Sequence, residues 1–321
     1  MTAVAEPNLA ALQPDLESAQ TFFARVGRSR RIRLSIAVLG LIALSSLFTL
    51  PLTLRSDRQW GYDNQYALPV RAAPSISSSA LWFGSDTLGR SLIGRCLLGG
   101  AASLAVGLAA ALISVTLGVA IGLIAGYRGG WIDGLLMRIV DILYGLPYLL
   151  LVILFKIAFE HRLGTLVRSQ GLANFIVLFT AIGAVSWLTM SRVVRGQVLS
   201  LRSLPFIEAC KAAGLGEWRI FTRHLLPNLI GPITVYATLI VPSAILQESF
   251  LSFLGIGIQP PLPTWGSLAA DGLGPALNPL NSQWWMLVFP CALLAITLLA
   301  LNFLGDGLRD LFDPKAEAGK F

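Results

Sequence analysis

The 321-residue sequence is short of charge: 13% of it is Asp, Glu, Lys or Arg, about half the roughly 25% usual for soluble domains. Histidine and cysteine are scarcer still, at two and three residues. Cys96, Cys210 and Cys291 lie far apart and show no Cys-x-x-Cys or Cys/His spacing. A disulfide scaffold is excluded, no metal site is expected, and the thiols read as small apolar side chains. Catalytic and nucleotide motifs are missing too. There is no Gly-x4-Gly-Lys-Ser/Thr, no Gly-x-Ser-x-Gly and no His-Glu-x-x-His. The chain is therefore not expected to bind ATP through a P-loop, to use a cofactor or to be an enzyme.

What fills the space is apolar: 55% of residues are hydrophobic, and the mean hydropathy is +0.71. Charge-free runs cover 34–54, 96–126, 169–191, 225–247 and 272–305, the last with a Gly/Pro/Asn-rich start that moves its span to near Trp284. Each is long enough to cross a bilayer, which takes about 20 residues. A less clean segment, 134–159, carries Arg138, Asp141 and Lys156 and makes a sixth span. The expectation is an all-α membrane protein with six transmembrane helices in a lipid bilayer. The first run is too long for a cleavable leader and reads as a signal anchor.

The net charge of +7 is then a topology marker, not a sign of nucleic-acid binding. The N-terminal arm with Arg25, Arg28, Arg30, Arg31 and Arg33, the loop near 127–138, segment 192–228 and the tail hold 16 of the 24 Lys and Arg. That places both termini in the cytoplasm; five arginines in the external segment 55–95 weaken the bias. The division is an arm 1–33, a first span 34–54, an external segment 55–95, a five-helix core 96–308 with a cytoplasmic loop 192–228, and a tail 309–321. Trp60, Trp82, Trp265, Trp284 and Trp285 are expected at the outer interface, and Trp131 and Trp218 at the inner one.

Within the spans, Ala110, Ser114, Gly118, Gly122 and Gly126 recur every fourth residue and form a small-residue stripe. Such a stripe admits a close helix neighbour, either inside the chain or at a subunit or pathway surface. Asp141 and Arg138 read as an interfacial pair or as groups packing near the cytoplasmic loop. Lys156 reads as a snorkelling side chain. Glu248 lines a pathway or accepts hydrogen bonds from the Gly/Pro-rich segment behind it. That segment, 252–283, reads as a solvated loop or a partly buried cap. Pro147 is expected to kink the third span, and Asp141, Pro147 and Glu248 are the candidate pathway or gate residues. In the cytoplasmic loop, Ser203 is the candidate N-cap, Pro205 suits a first turn, and Gly214 suits the left-handed end of a helix 206–213. A second short helix, 217–226, places Trp218, Phe221 and Leu225 on one side and ends at Pro227. The product is a helix-turn-helix knob, shaped to fit a partner's groove.

This knob resembles the EAA loop of ABC-importer permease subunits: Glu-Ala-Ala, three residues, Gly, nine residues, then hydrophobic-x-Leu-Pro. Glu208 and Ala209 match, Cys210 replaces the second alanine, Gly214 stands at the right offset, and His224-Leu225-Leu226-Pro227 fills the tail. Phe83-Gly-Ser-Asp-Thr-Leu-Gly-Arg90, Gly126-Tyr-Arg-Gly-Gly-Trp-Ile-Asp133 and Asn302-Phe-Leu-Gly-Asp-Gly-Leu-Arg-Asp-Leu-Phe-Asp-Pro314 are similar to segments of the dipeptide, oligopeptide and nickel branch. The leading span resembles the second permease of the pair. The resemblance implies ABC ATPase partners that dock on the knob through Glu208 and Gly214, a sister permease, and an extracytoplasmic solute-binding protein. It implies import of a peptide or related solute across the inner (plasma) membrane. The alternative is a self-sufficient secondary transporter or channel without an ATPase partner.

Overall fold

The structure, a computed structural model, describes residues 29–55, 57–167 and 170–312. Arg25 and Arg28, and most of the proposed arm and tail, lie outside these residues. The described residues are nearly all helical, with one isolated bridge between Ser85 and Ser91 as the only β-type pairing among them.

Helix α1 (Arg30–Thr53) starts at Ser29, whose hydroxyl accepts from the Ile32 N–H. Helix α2 (Leu92–Arg128) starts at Ser91, which caps Gly94 and donates to the Ala80 carbonyl. Gly129 and Gly130, with φ of 65° and 55°, turn the chain into α3 (Gly130–Tyr144). Then come α4 (Tyr148–Val167) and α5 (Gln170–Arg202). The knob follows as α6 (Pro205–Ala212) and α7 (Glu217–Ile220). A π-turn, Phe221–Leu225, leads into α8 (Leu226–Phe253). Helices α9 (Trp265–Ala276) and α10 (Trp285–Phe312) complete the described residues. Among the described residues, five helical stretches are long and apolar enough to cross a membrane, or six when α3 and α4 are taken as one bent span.

The sixth span departs from the expectation. In place of one kinked helix over 134–159, the chain makes two helices that meet at 95°. Pro147 lies in the break. It has no N–H to continue a helix, and it pushes residue 146 out of the helical region. Asp141 ion-pairs with Arg192 of α5 at 2.7 Å, not with Arg138. Helix α5 also runs past Ser191, because its arginines are taken up by neighbours. Arg195 grips Asp133 through two bonds of 2.5 and 2.6 Å. Arg202 donates to the carbonyls of Gly126 and Tyr127 at the end of α2.

The small-residue stripe packs inside the chain. A Cβ on Gly118 would lie 2.5 Å from Met190 Cβ; on Gly122, 2.7 Å from the Ser191 carbonyl; on Gly126, 2.8 Å from Val198 Cβ. Ser114 is fully buried on the same face. Helices α2 and α5 form the most extensive helix pair, and a Cβ-free stripe is what allows that approach.

The external segment is built around Asp86. Its carboxylate accepts N–H bonds from Leu88 and Arg90, each 2.9 Å, and pairs with the side chains of Arg90 and Arg95 at 2.7 Å. Both arginines are buried. They are structural counter-charges, so two of the five arginines that weaken the charge bias are not free surface charges. Trp265 and Trp285 are likewise buried rather than interfacial. Their indole N–H groups donate to Cys96 O at 3.0 Å and Ser85 O at 3.2 Å.

The segment 252–283, read as a solvated loop or a partly buried cap, folds back as α9, which buries Trp265 and Leu268 and is opened by a reciprocal Thr264/Ser267 capping box. Two buried charges hold the loop before it. Lys156 of α4 does not snorkel: its ammonium donates to the carbonyls of Ile256 and Gly257. Glu248 of α8, with no exposed surface, accepts from Ser252 at 2.7 Å and Thr264 at 2.8 Å.

Candidate functional site

The knob is anchored by a small apolar base. Ile207, Ile220 and Leu225 are fully buried against Leu123, Val194, Val198 and Leu229. Cys210 joins this cluster as a half-buried side chain, so the departure from the Glu-Ala-Ala pattern fills space at the base. The turn after α6 is a Schellman motif. Leu215 N–H bonds to Cys210 O, Gly214 N–H bonds to Lys211 O, and Gly214 has φ of 73°. The apolar Cys210 and Leu215 meet beneath it.

Three expectations need correction. Ser203 is not the N-cap. Leu204 occupies that place without a side-chain bond, and the Ser203 hydroxyl donates back to Ser200 O. Pro227 does not stop the second helix. Leu226 N–H bonds to Phe221 O, five residues back, and this wider turn carries the helix through the proline and into α8. Pro227 sits in the first turn of α8, where its missing N–H costs little. The predicted apolar side also splits. Leu225 is buried, but Trp218 is 77% exposed, because no neighbouring element covers that face at the knob's tip.

The outer surface of the knob presents Glu208, Ala209, Lys211 and Ala212 beside exposed Phe206 and Trp218. Leu226 is half-buried at the base. Glu208 lies in the first turn of α6, where a carboxylate is favoured by the helix dipole. The knob is braced to the end of α2 by a bond the sequence did not suggest: Arg128 reaches Glu217 through Nε and Nη2 at 3.1 and 2.8 Å. Lys211 lies over the Tyr127 ring, and Tyr127 meets Phe221 edge-on at 4.9 Å. A rigid, exposed apolar tip on a braced base is suited to docking.

A second feature is a cavity of about 560 Å³ between the α3–α4 break, α5 and α8. Tyr236, Leu239, Ile240, Ser243 and Gln247 face it from one stripe of α8. Of the pathway candidates, Pro147 lies between two lining residues, Leu146 and Tyr148. Asp141 is exposed beside Arg192. Glu248, one position on from Gln247, is turned toward Thr264 and is not on the cavity wall. Among the described residues no group of three His, Cys, Asp or Glu is placed to hold a metal ion.

Residues 118–318 match the family described as "Binding-protein-dependent transport system inner membrane component". The chain is 44% identical over 283 residues to the oligopeptide transport system permease protein OppC of Escherichia coli (strain K12), covering 88% of this chain and 87% of that protein. It is 40% identical over 303 residues to the dipeptide transport system permease protein DppC of Bacillus subtilis (strain 168), covering 94% and 88%. A chain of the inward-facing MetNI methionine ABC transporter shares the fold, with a TM-score of 0.50 and 18% identity over 68% of this chain and 97% of that one. The chain therefore belongs to the binding-protein-dependent inner-membrane transport components, the multi-pass permease subunits of ABC importers, and is a transport subunit rather than an enzyme.

Proposed function

We propose that this chain is one of two permease subunits that import oligopeptides or dipeptides across the inner membrane, with both termini cytoplasmic. The observation that carries the reading is 44% identity over 88% of the chain to an oligopeptide permease. A binding protein delivers the peptide outside, and a sister permease completes the conduit. Two ATPase subunits grip the knob formed by α6 and α7. Support for the knob's role comes from its exposed Phe206 and Trp218 on a buried base. Closing of the ATPases displaces the knob, and the helical continuity of Glu217–Phe253 carries the displacement into the membrane.

Gly214→Val is the test. A Cβ there meets nothing within 4 Å, but φ is 73°, a conformation that costs a side chain about 1–2 kcal/mol. The turn is forced to change while the spans are untouched. Expected is normal membrane insertion with loss of peptide-stimulated ATP hydrolysis and of uptake in the complete transporter. Unchanged coupling would remove the knob from the mechanism.

A further inference from the structure

The cavity beside the α3–α4 break has an unusual wall for a site so rich in polar side chains. Tyr144, Tyr148, Ser186, Tyr236, Ser243 and Gln247 line it, and no lining residue is charged. The two serine protons are already committed. Ser186 donates to Ile182 O at 2.8 Å, and Ser243 donates to Leu239 O at 3.0 Å. Each hydroxyl therefore offers the cavity only its lone pairs. The Gln247 side-chain oxygen is buried with no hydrogen-bond partner among the described residues. A buried acceptor left open in this way is unfavourable until a donor arrives. The Tyr148 hydroxyl on the same wall is likewise buried without a partner among the described residues and can donate as well as accept. The wall thus asks for an N–H group at Gln247 and has an O–H to meet a carbonyl, the two faces of one amide.

The absence of charge limits which part of a solute rests there. The nearest charge, Arg192, is stacked on the Tyr144 ring at 4.1 Å and already paired with Asp141, so an ionised terminus entering the cavity would lose hydration and find no uncommitted counter-charge. The amides in the middle of an extended peptide carry N–H donors and no charge. The tyrosine rings supply flat apolar surface that tolerates different side chains. The volume, about 560 Å³, falls within the roughly 300–1,000 Å³ of small-ligand sites.

We propose that this cavity is a transit site that holds the uncharged middle of a peptide by its main-chain N–H groups, with Gln247 as the principal acceptor and Ser186 and Ser243 beside it. The proposal rests on the peptide-import reading. It assigns this chain a part in recognising the solute, through the feature all peptides share and not through their side chains.

The complete transporter, with its ATPases, sister permease and binding protein, is reconstituted in vesicles. Uptake of trialanine is compared with uptake of trialanine methylated at its central peptide nitrogen, which lacks one donor. The measured quantity is the ratio of the two rates in the wild type, in Gln247→Met and in Ser243→Ala. Any preference of the binding protein is common to all three and cancels. The ratio should fall about threefold to tenfold in Gln247→Met, the equivalent of one hydrogen bond, and fall less in Ser243→Ala. An unchanged ratio in both variants, with trialanine still imported, overturns the transit site and leaves peptide import standing. If Gln247→Met does not assemble, Ser243→Ala, at an exposed position, decides alone. A wild type that imports neither peptide refutes the import reading and this proposal with it.

Discussion

Adding a single methyl group to the helix pair at the centre of the fold separates close packing from mere proximity. At Gly118 the added Cβ would lie 2.5 Å from Met190 Cβ and 3.1 Å from the Ser191 nitrogen. Carbon atoms settle at about 3.5–4.0 Å, so α2 and α5 must part by about 1 Å or Met190 must leave its rotamer. Overpacking of this kind costs about 1–3 kcal/mol. Gly196, on α5 of the same pair, is the control: an added Cβ meets nothing within 4 Å. There an alanine gains about 0.5–1 kcal/mol from reduced backbone freedom in the unfolded chain. The two glycine-to-alanine changes therefore carry opposite signs. Apparent unfolding temperatures of the purified transporter in one detergent, heated at one rate, should fall for Gly118→Ala and hold or rise for Gly196→Ala. If Gly118→Ala is as stable as Gly196→Ala, the helices are not in contact through the stripe.

Asp86→Asn leaves the buried Arg90 and Arg95 without their shared counter-charge, and breaking such a pair costs about 3–5 kcal/mol; loss of assembled transporter, with proteolysis of the segment before α2, is the expected readout. Arg128→Gln removes a bond between groups roughly half exposed, so stability should change by no more than about 1 kcal/mol. A change in how tightly ATP hydrolysis follows peptide supply is the more sensitive measure of that brace.

The spans were legible because their signal is physical and local: a charge-free run of about 20 residues has few other uses. Gly214 was legible for a similar reason, since a left-handed turn at a helix end selects glycine. The failures share a cause. Charge was read as a marker of water, and several charges here are internal. Lys156 is buried because the carbonyls of Ile256 and Gly257 meet it, and Arg95, already beside Asp86, because Asp271 of α9 also reaches it. Those partners come from tertiary structure that no window along the chain displays. Trp265 and Trp285 misled in the same way, being amphipathic enough for an interface and equally suited to bury a ring against one backbone carbonyl. The cavity residues carried no signal: Tyr148 and Gln247 become neighbours only after Pro147 breaks a span in two.

The π-turn at Phe221–Leu225 joins what the sequence divided. From Glu217 to Phe253 the backbone is one rod of 37 residues, about 55 Å at 1.5 Å per residue. Trp218 stands at one end, Gln247 and Glu248 near the other. On the proposed docking role of the knob, a push on its tip would travel along one continuous backbone, with no relay of side chains to be set or reset. The widened turn sits where the rod leaves the knob, and Pro232 and Pro242 interrupt the hydrogen-bond ladder further along α8. Those three places are where a push along the rod would be lost to bending, so their stiffness sets how much of it would arrive.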